Sequence, residues 1–574
     1  MKLTDYREIW ISDFEFYQDA NLHPVPLCLV AWELKSGKKI TLWKDQFGPT
    51  PPYATDKDSL FIAYYASAEI GCHLALGWSV PERILDLFTE FRCLTNDGAK
   101  GRRDSLLAAL MYFGIDGLSA IKKDEMRDLI LSGGPWSSSQ QSAILSYCES
   151  DVAALSKLLP AMESNIDLPR ALLRGRYMAA VARMERNGTP LDMETLERLK
   201  EQWEIIKARL ISRMDEKYGV FENGSFKQTR FEKLLQEHNI SWPMHPSGRL
   251  DLTDDTFREM ARSHPDLASL YELRYTLSKM RLKELPIGAD GRNRAMLSAF
   301  RSKTGRNQPG SSKFIFGPST WLRGLIKPPS GFGVAYLDWK QQEFGIAAAL
   351  SGDVMMQDAY RSGDPYLAFA KQAGAVPHDA TKASHKAQRE LYKQCVLAVQ
   401  YGMGEASLAQ RIHKPPIFAR NLLRLHRETY KTFWKWSDAM LDHTILTGAA
   451  ATVFGWPILV GADPNDRSLR NFPMQANGAE MLRLACCIAT EQKIQICAPV
   501  HDAVLIVAPL PILDSEVQRM QSIMAEASRV VLNGFELGTD AVVICAPNRY
   551  MDERGIEMWN TIMEILDDLY KSAA

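Results

Sequence analysis

The sequence predicts a multidomain protein of mixed α/β and α+β class: an α/β unit first, then a longer, mainly helical part built around a few buried strands. Three observations predict it. At 574 residues the chain is too long for one hydrophobic core. Two strand-like runs, EIWISDFEF and PLCLVAWEL, open the sequence, joined by a loop containing Pro24 and Pro26. Further along, apolar residues recur at three- and four-residue spacing over long stretches, interrupted by short strand-like runs.

The first unit spans residues 1–165. After its two strands, PERILDLFTEF and QQSAILSYCESDVAALSKLL carry helical spacing, and Asn165 to Pro169 makes a joint. Residues 170–290 are mainly amphipathic helix, broken at Asn187-Gly188-Thr189-Pro190 and from Pro243 to Gly248. FGVAYLDW (332–339) reads as a buried strand with an acid, Asp338, near its end. A mostly helical block follows to about residue 447, and Ile494 to Pro509 reads as strand, tight turn and strand, with His501-Asp502 at the turn.

Composition excludes several classes. With 46% hydrophobic and 24% charged residues the chain is ordinary for a globular protein. No apolar stretch of about eighteen residues is present, so no helical membrane span is expected. The N-terminal MKLTDYREIWISDFEF has acids where a signal peptide needs an apolar core, so a cytoplasmic protein is expected. Nine cysteines without CxxC pairs or zinc spacing read as reduced thiols. The net charge of −1 hides local excess. Between Gly291 and Leu337 lie Arg292, Arg294, Arg301, Lys303, Arg306, Lys313, Arg323 and Lys327, with no acid; a second run from Lys382 to Lys431 includes Lys386, Arg389, Lys393, Arg411, Lys414, Arg420, Arg424 and Arg427. Such runs suit phosphate contacts.

Chemistry is carried by a few carboxylates and one cationic helix. Asp13 and Glu15 alternate on a strand, so both project from one face. Alone such a pair is usually the solvent side; with a cation between them, hard carboxylate oxygens suit Mg²⁺ or Mn²⁺. In Tyr147-Cys-Glu-Ser-Asp151 a spacing of four sets the hydroxyl and the carboxylate on one helical face. Asp338-Trp-Lys-Gln-Gln-Glu343 follows the buried strand. Arg389, Lys393, Leu397 and Tyr401 fall four apart on one helical stripe, where two cations followed by a flat ring suit a triphosphate tail and a base.

The N-terminal motifs resemble the DEDD 3′→5′ exonucleases, in the subgroup with a tyrosine in the third motif. The resemblance implies a ribonuclease H-like fold over 1–165, with Asp13, Glu15 and Asp151 holding two divalent ions and Tyr147, with Glu15, orienting the attacking water. The family's middle motif falls on Tyr65-Ala-Ser-Ala-Glu69, followed by Leu85-Asp86. It makes Glu69 a metal ligand where the family has an aspartate, one methylene shorter.

The later motifs resemble family A, DNA polymerase I-like, DNA polymerases. The resemblance implies a right-hand polymerase domain over 166–574: thumb about 190–290, palm about 295–360 and 440–574, fingers about 361–440. Asp338, Gln341 and Glu343 match motif A, Arg389, Lys393 and Tyr401 motif B, and Val500-His501-Asp502 motif C, although Ala503 stands where the family has a second acid. Asp338 and Asp502 would hold two Mg²⁺ (or Mn²⁺) ions. Arg389 and Lys393 would grip the triphosphate; Tyr401 would stack near the templating position; Leu397 replaces an aromatic that packs on the sugar. Glu343 would block a ribose 2′-OH, and Gln341 and Tyr366, the latter in place of a histidine, would also bind dNTP. Arg306 in Thr-Gly-Arg, with Arg467, Asn471, Gln475 and His501, would touch DNA, and MERNGTPLD (184–192) resembles the family's exonuclease–thumb junction.

The implied function is template-directed DNA synthesis from dNTPs with 3′→5′ proofreading. Its implied partners are primer–template DNA and dNTPs, with no membrane; the chain is expected to be a monomer, with room for accessory replication proteins. With no 5′-nuclease ahead of the exonuclease motif and no long thumb insertion, a bacteriophage replicative enzyme is expected. Leu397 and the altered motif A raise adaptation to modified bases such as 2-aminoadenine. Two alternatives stay open: a single-subunit RNA polymerase-like enzyme, and a catalytically inactive DNA-binding module.

Overall fold

The structure is a computed structural model that describes residues 2–96, 104–115, 120–245, 247–279, 282–317, 319–400, 402–461 and 464–573. It opens on a five-stranded mixed sheet. Strands β1 (Glu8–Gln18), β2 (Pro24–Glu33) and β3 (Lys39–Trp43) run antiparallel to their neighbours; β4 (Ser59–Ala63) and β5 (Ile84–Asp86) add in parallel, giving the order β3-β2-β1-β4-β5. Alternation along β1 divides its side chains between two layers. Ile9 and Ile11 enter a core with helix α3 (Ser138–Glu163), whereas Trp10 and Phe14 enter another with helix α1 (Ser67–Leu76).

PERILDLFTEF is not one helix. Ile84, Leu85 and Asp86 pair with Phe61, Ile62 and Ala63 of β4, and helix α2 begins only at Leu87 (Leu87–Leu94). A short strand buried on both faces has the same apolar run as a helix, so periodicity alone cannot separate them. The switch is made by Asp86, whose carboxylate caps α2 by accepting from Phe88 N.

Helix α4 (Leu168–Asn187) starts after a four-residue joint, capped by Asp167, and lies across β5 and α1. Gly175 permits the crossing: a Cβ there would stand 1.9 Å from the carbonyl oxygen of Ile84. Arg174 forms a buried bidentate pair with Glu90 of α2, both bonds 2.7 Å. Breaking one side of such a pair strands the other charge, so Arg174→Ala is expected to cost about 3–5 kcal/mol of unfolding free energy. Urea denaturation measures this, and a change below about 1 kcal/mol, the scale of an exposed pair, would refute it.

Helix α5 (Met193–Tyr218) and shorter helices follow to Lys279. A second sheet then forms around β6 (Phe332–Trp339), which runs straight into helix α6 (Gln342–Ser351). Helices α7 (Pro365–Gln372) and α8 (Lys386–Gln400) pack on each other; the long helix α9 (Asp466–Glu491) returns the chain to β7 (Ile496–Val500) and β8 (Ala503–Pro509). Helix α10 (Leu513–Val531) backs the sheet, β9 (Thr539–Cys545) completes the order β7-β8-β6-β9, and the C-terminal helix α11 (Ile556–Ala573) packs on α5. The far side of α4 meets α9 and β7, so this one helix joins both sheets.

Candidate active sites

The odd-numbered face of β1 that carries Ile9 and Ile11 toward α3 also carries Asp13 and Glu15, and α3 brings Asp151 to meet them. One ligand atom from each of Asp13, Glu15 and Asp151 lies within 4.8 Å of the others. Cys148, one turn before Asp151, donates from Sγ to the carbonyl of Asp13 at 3.2 Å and pins helix to strand. Burial first, then the negative fields of Asp151, Glu15 and Asp13, push the Tyr147 hydroxyl pKa upward. Glu69 of α1 is 3% exposed, and its Oε2 has no hydrogen-bond partner. Its pKa is raised well above the carboxylate range, by burial first and then by Asp13 and Glu15. An all-oxygen group of crowded acids fits a hard divalent cation, which would relieve the repulsion that the fold imposes.

Asp86 stands apart from this group. Besides capping α2 it accepts from Tyr65 N at 3.0 Å, Ala66 N at 3.3 Å and Thr89 Oγ1 at 3.2 Å. Tyr65 has φ 71°, a left-handed turn between β4 and α1. Asp86 therefore fixes the turn that starts Glu69's helix, and burial pushes its own pKa up to about 6.

The second site lies at the open end of the second sheet. Asp338 pairs across the sheet with Ala503 on one side and Asp540 on the other, and Trp339 N donates to the carbonyl of Asp502 at 3.3 Å. The register thus sets Asp502, at the β7–β8 turn, beside Asp338. Burial, then Asp502 and Asp540, push the Asp338 pKa up to about 6; burial also raises Asp502, against the pull of Arg306 and His501. Two neighbouring carboxylates, each with its charged form disfavoured by burial, again suit a divalent cation between them. His501, exposed, takes φ 55° at this two-residue turn.

Gln341, with φ 41° and ψ 48°, turns the chain from β6 into α6 and sets Glu343 in that helix's first turn. Glu343 lies 3.7 Å from Nη2 of Arg306, and burial raises its pKa. Both residues line a cleft of about 370 Å³ with Gln341, Gln342, Tyr366, Leu397, Gln475, His501 and Asp502. Arg389 of α8 donates from Nε to Asp364 at 2.5 Å and from Nη1 to Glu390 at 2.7 Å. Asp364 caps α7, and the ring of Tyr366 on that helix lies 5.4 Å from the Arg389 guanidinium and 5.9 Å from Lys393 Nζ. Arg467 and Asn471 share helix α9 with Gln475 but do not line the cleft; Tyr401 lies outside the described residues.

Two residues at this site escape a reading of the sequence. Asp540 is brought beside Asp338 only by β9 pairing, and also pairs with Lys340 at 2.9 Å. Gln342 is buried, with neither amide atom hydrogen-bonded, and packs where a Cβ on Gly478 would approach its Oε1 to 2.5 Å. A buried unsatisfied amide lining a cleft is the kind of exception that marks function.

The basic runs are less available than their sequence suggests. Arg292 donates to the carbonyls of Asn187 and Gly188, and Arg294, Arg323 and Lys327 pair with Asp290, Asp552 and Asp192. In the second run Arg420, Arg424 and Arg427 pair with Glu405, Glu428 and Asp438. Asp192 and Asp552 reach the first run from distant segments, whereas Asp290, Glu405 and Glu428 lie beside or within the runs themselves, so a count of cations along the sequence overstates the positive surface. Arg301, Lys303 and Arg467 remain exposed.

Residues 318–539 match the family model for DNA polymerase family A. The chain is 23% identical over 441 residues to DNA polymerase I of Aquifex aeolicus (strain VF5), covering 70% of this chain and 75% of that protein. It is 24% identical over 377 residues to DNA polymerase I of Chloroflexus aurantiacus (strain ATCC 29366 / DSM 635 / J-10-fl), covering 60% of this chain and 40% of that longer protein. Among solved structures, the POL domain of Pol1 from M. smegmatis, in complex with DNA primer-template and dNTP, superposes with a TM-score of 0.67 at 15% identity, over 93% of this chain and 95% of that one. At that identity the likeness is one of fold. No helix among the described residues is long and apolar enough to cross a membrane.

Proposed function

We propose, from the premise that residues 318–539 are a family A DNA polymerase segment, that the chain synthesises DNA on a primer–template from dNTPs and removes nucleotides from a 3′ end with its N-terminal unit. The observation that supports synthesis best is the register that sets Asp502 beside Asp338 at the mouth of a cleft lined by Arg306, Glu343 and Tyr366. Asp338 and Asp502 would hold divalent ions, which when bound lower the pKa of the primer 3′-hydroxyl and offset charge on the transferring phosphate.

The chain's own residues do the remaining work. Arg389 and Lys393, both against the Tyr366 ring, bind the triphosphate and neutralise the charge that develops on departing pyrophosphate. Gln475 and Arg306 contact the paired primer end, where minor-groove acceptors are alike for every correct pair. Glu343, held by Arg306, closes the space a ribose 2′-hydroxyl would need. Glu343→Ala is therefore expected to raise the rNTP:dNTP ratio of kcat/KM roughly 10- to 200-fold, the scale of a steric pocket contact. An unchanged ratio would remove Glu343 from sugar selection.

For the nuclease, Asp13, Glu15 and Asp151 would hold the divalent ions, with Glu69, which lies outside their 4.8 Å group but feels the fields of Asp13 and Glu15, as a fourth acid nearby, and Tyr147 would orient the attacking water. The sheet order β3-β2-β1-β4-β5, with its acids on the central strand and a crossing helix, is consistent with a ribonuclease H-like unit. A labelled primer annealed to a longer template tests both activities at once. Extension is expected with dNTPs and shortening from the 3′ end without them, both stopped by a chelator. A primer unchanged under both conditions, with Mg²⁺ present, would defeat the proposal.

A further inference from the structure

The loop that delivers Arg306 to the cleft is gripped by the other unit. Its approach is not relaxed: Ser298 and Phe300 have φ of 50° and 58°, values disfavoured for residues bearing a Cβ. Phe300 is held there by burial, its ring 5.6 Å from Tyr177, 5.2 Å from Trp456 and 4.8 Å from the Arg483 guanidinium. The carbonyls that follow are bonded one after another. Arg92 of α2 donates from Nε to Phe300 O at 3.3 Å and from Nη2 to Arg301 O at 2.6 Å. Asn96, just past α2, donates to Lys303 O at 2.7 Å and to Pro457 O at 2.6 Å. Arg483 of α9 then takes Gly305 O at 2.7 Å.

Arg92 is itself aimed. Its Nη1 meets Asp104 at 3.0 Å, and the Asp104 carbonyl accepts from Tyr64 at the end of β4 at 2.7 Å. A chain of bonds therefore runs from the first sheet to the backbone of the second site. Arg306, at its end, is tied by its carbonyl, which accepts from Ser302 N at 3.2 Å within the same loop, while its side-chain Nε is buried with no hydrogen-bond partner and Glu343 stands 3.7 Å off, so the loop sets where the guanidinium points.

We propose that Arg92 and Asn96 are positioning residues for the polymerase cleft, fixing the 300–306 loop so that Arg306 faces primer–template DNA. The inference rests on the polymerase reading above and adds that the N-terminal unit supports synthesis mechanically, apart from any nuclease chemistry. No side chain of α2 enters the cleft, so the effect must pass through the loop.

The test is a double-mutant cycle on the full chain. Arg306→Gln is expected to weaken primer–template binding about tenfold and to lower its salt dependence by about one counterion. Arg92→Gln should reproduce most of that loss, the double variant should be no worse than Arg306→Gln, and Arg92→Lys, which keeps a donor, should fall between. KM for primer–template should rise while KM for dNTP stays constant, a split that general loosening of the fold would not give. If Arg92→Gln does not fold, Asn96→Ala carries the same cycle. Additive losses, or a normal salt slope in the Arg92 and Asn96 variants beside an altered one in Arg306→Gln, would overturn the inference alone. Unchanged DNA binding by Arg306→Gln would overturn it together with the polymerase reading of the cleft.

Discussion

Asp338→Asn and Asp502→Asn are each expected to slow nucleotide incorporation by about 10³-fold or more, equivalent to roughly 4 kcal/mol of transition-state stabilisation. Asparagine keeps the volume and removes the charge that a divalent ion needs. The fold itself should not suffer. Burial and the nearby Asp502 and Asp540 hold the Asp338 pKa at about 6, above its unfolded value, so its ionised form opposes folding at neutral pH. Removing that charge should leave the melting temperature unchanged or higher near pH 7.5, and this gain should shrink as pH falls through 6 and be nearly gone at about pH 3, below both the folded and the unfolded pKa, where both states hold the proton. Single-turnover extension, read beside thermal unfolding at the two pH values, separates lost chemistry from lost structure. Incorporation within tenfold of the parent in either variant would remove that aspartate from the centre.

Asp13→Ala and Asp151→Ala are expected to abolish 3′-end shortening of single-stranded DNA, by about 10³-fold, while leaving extension rates within about twofold. The two acids come from different elements, a central strand and the helix crossing it, yet supply oxygens to one group within 4.8 Å. Loss of either should therefore give the same phenotype, and the double variant little more, because residues acting as a unit are not additive. Glu69→Gln gives a graded comparison: if this fourth acid binds a cation, shortening falls less steeply than with Asp13→Ala and needs more Mn²⁺. Shortening that survives in both alanine variants would place the nuclease elsewhere or in a contaminant.

Apolar runs of strand length bounded by turn signals are legible from the sequence. β1, β2, β6 and the β7–β8 hairpin fall on such runs, and Asp13, Glu15, Asp338 and Asp502 lie where strand geometry and turn chemistry put them. β5 was not legible, because three residues buried on both faces look like a helix until β4 is known to lie alongside. Asp540 was hidden for a similar reason: its nearness to Asp338 depends on which strand flanks β6, a long-range pairing with no local signature. The basic runs erred the other way. Arg323 and Lys327 look like free cations in a window without acids, but Asp552 and Asp192 reach them from distant segments. Local chemistry was readable from the residues; neutralisation and cross-strand company were set by topology.

Helix α4 lends one flank to each sheet, and Gly175 seats it against Ile84 without clearance for even a methyl group. A seam built in this way is a weld rather than a hinge. Swinging the two sheets apart would tear an apolar stripe out of its bed on one side, so the separation between the two carboxylate centres is set once, on folding. On the proposed function, a mispaired strand end would then have to make the journey itself, melting from its template and crossing a gap of constant width, and the rate of that melting would set how often correction is attempted.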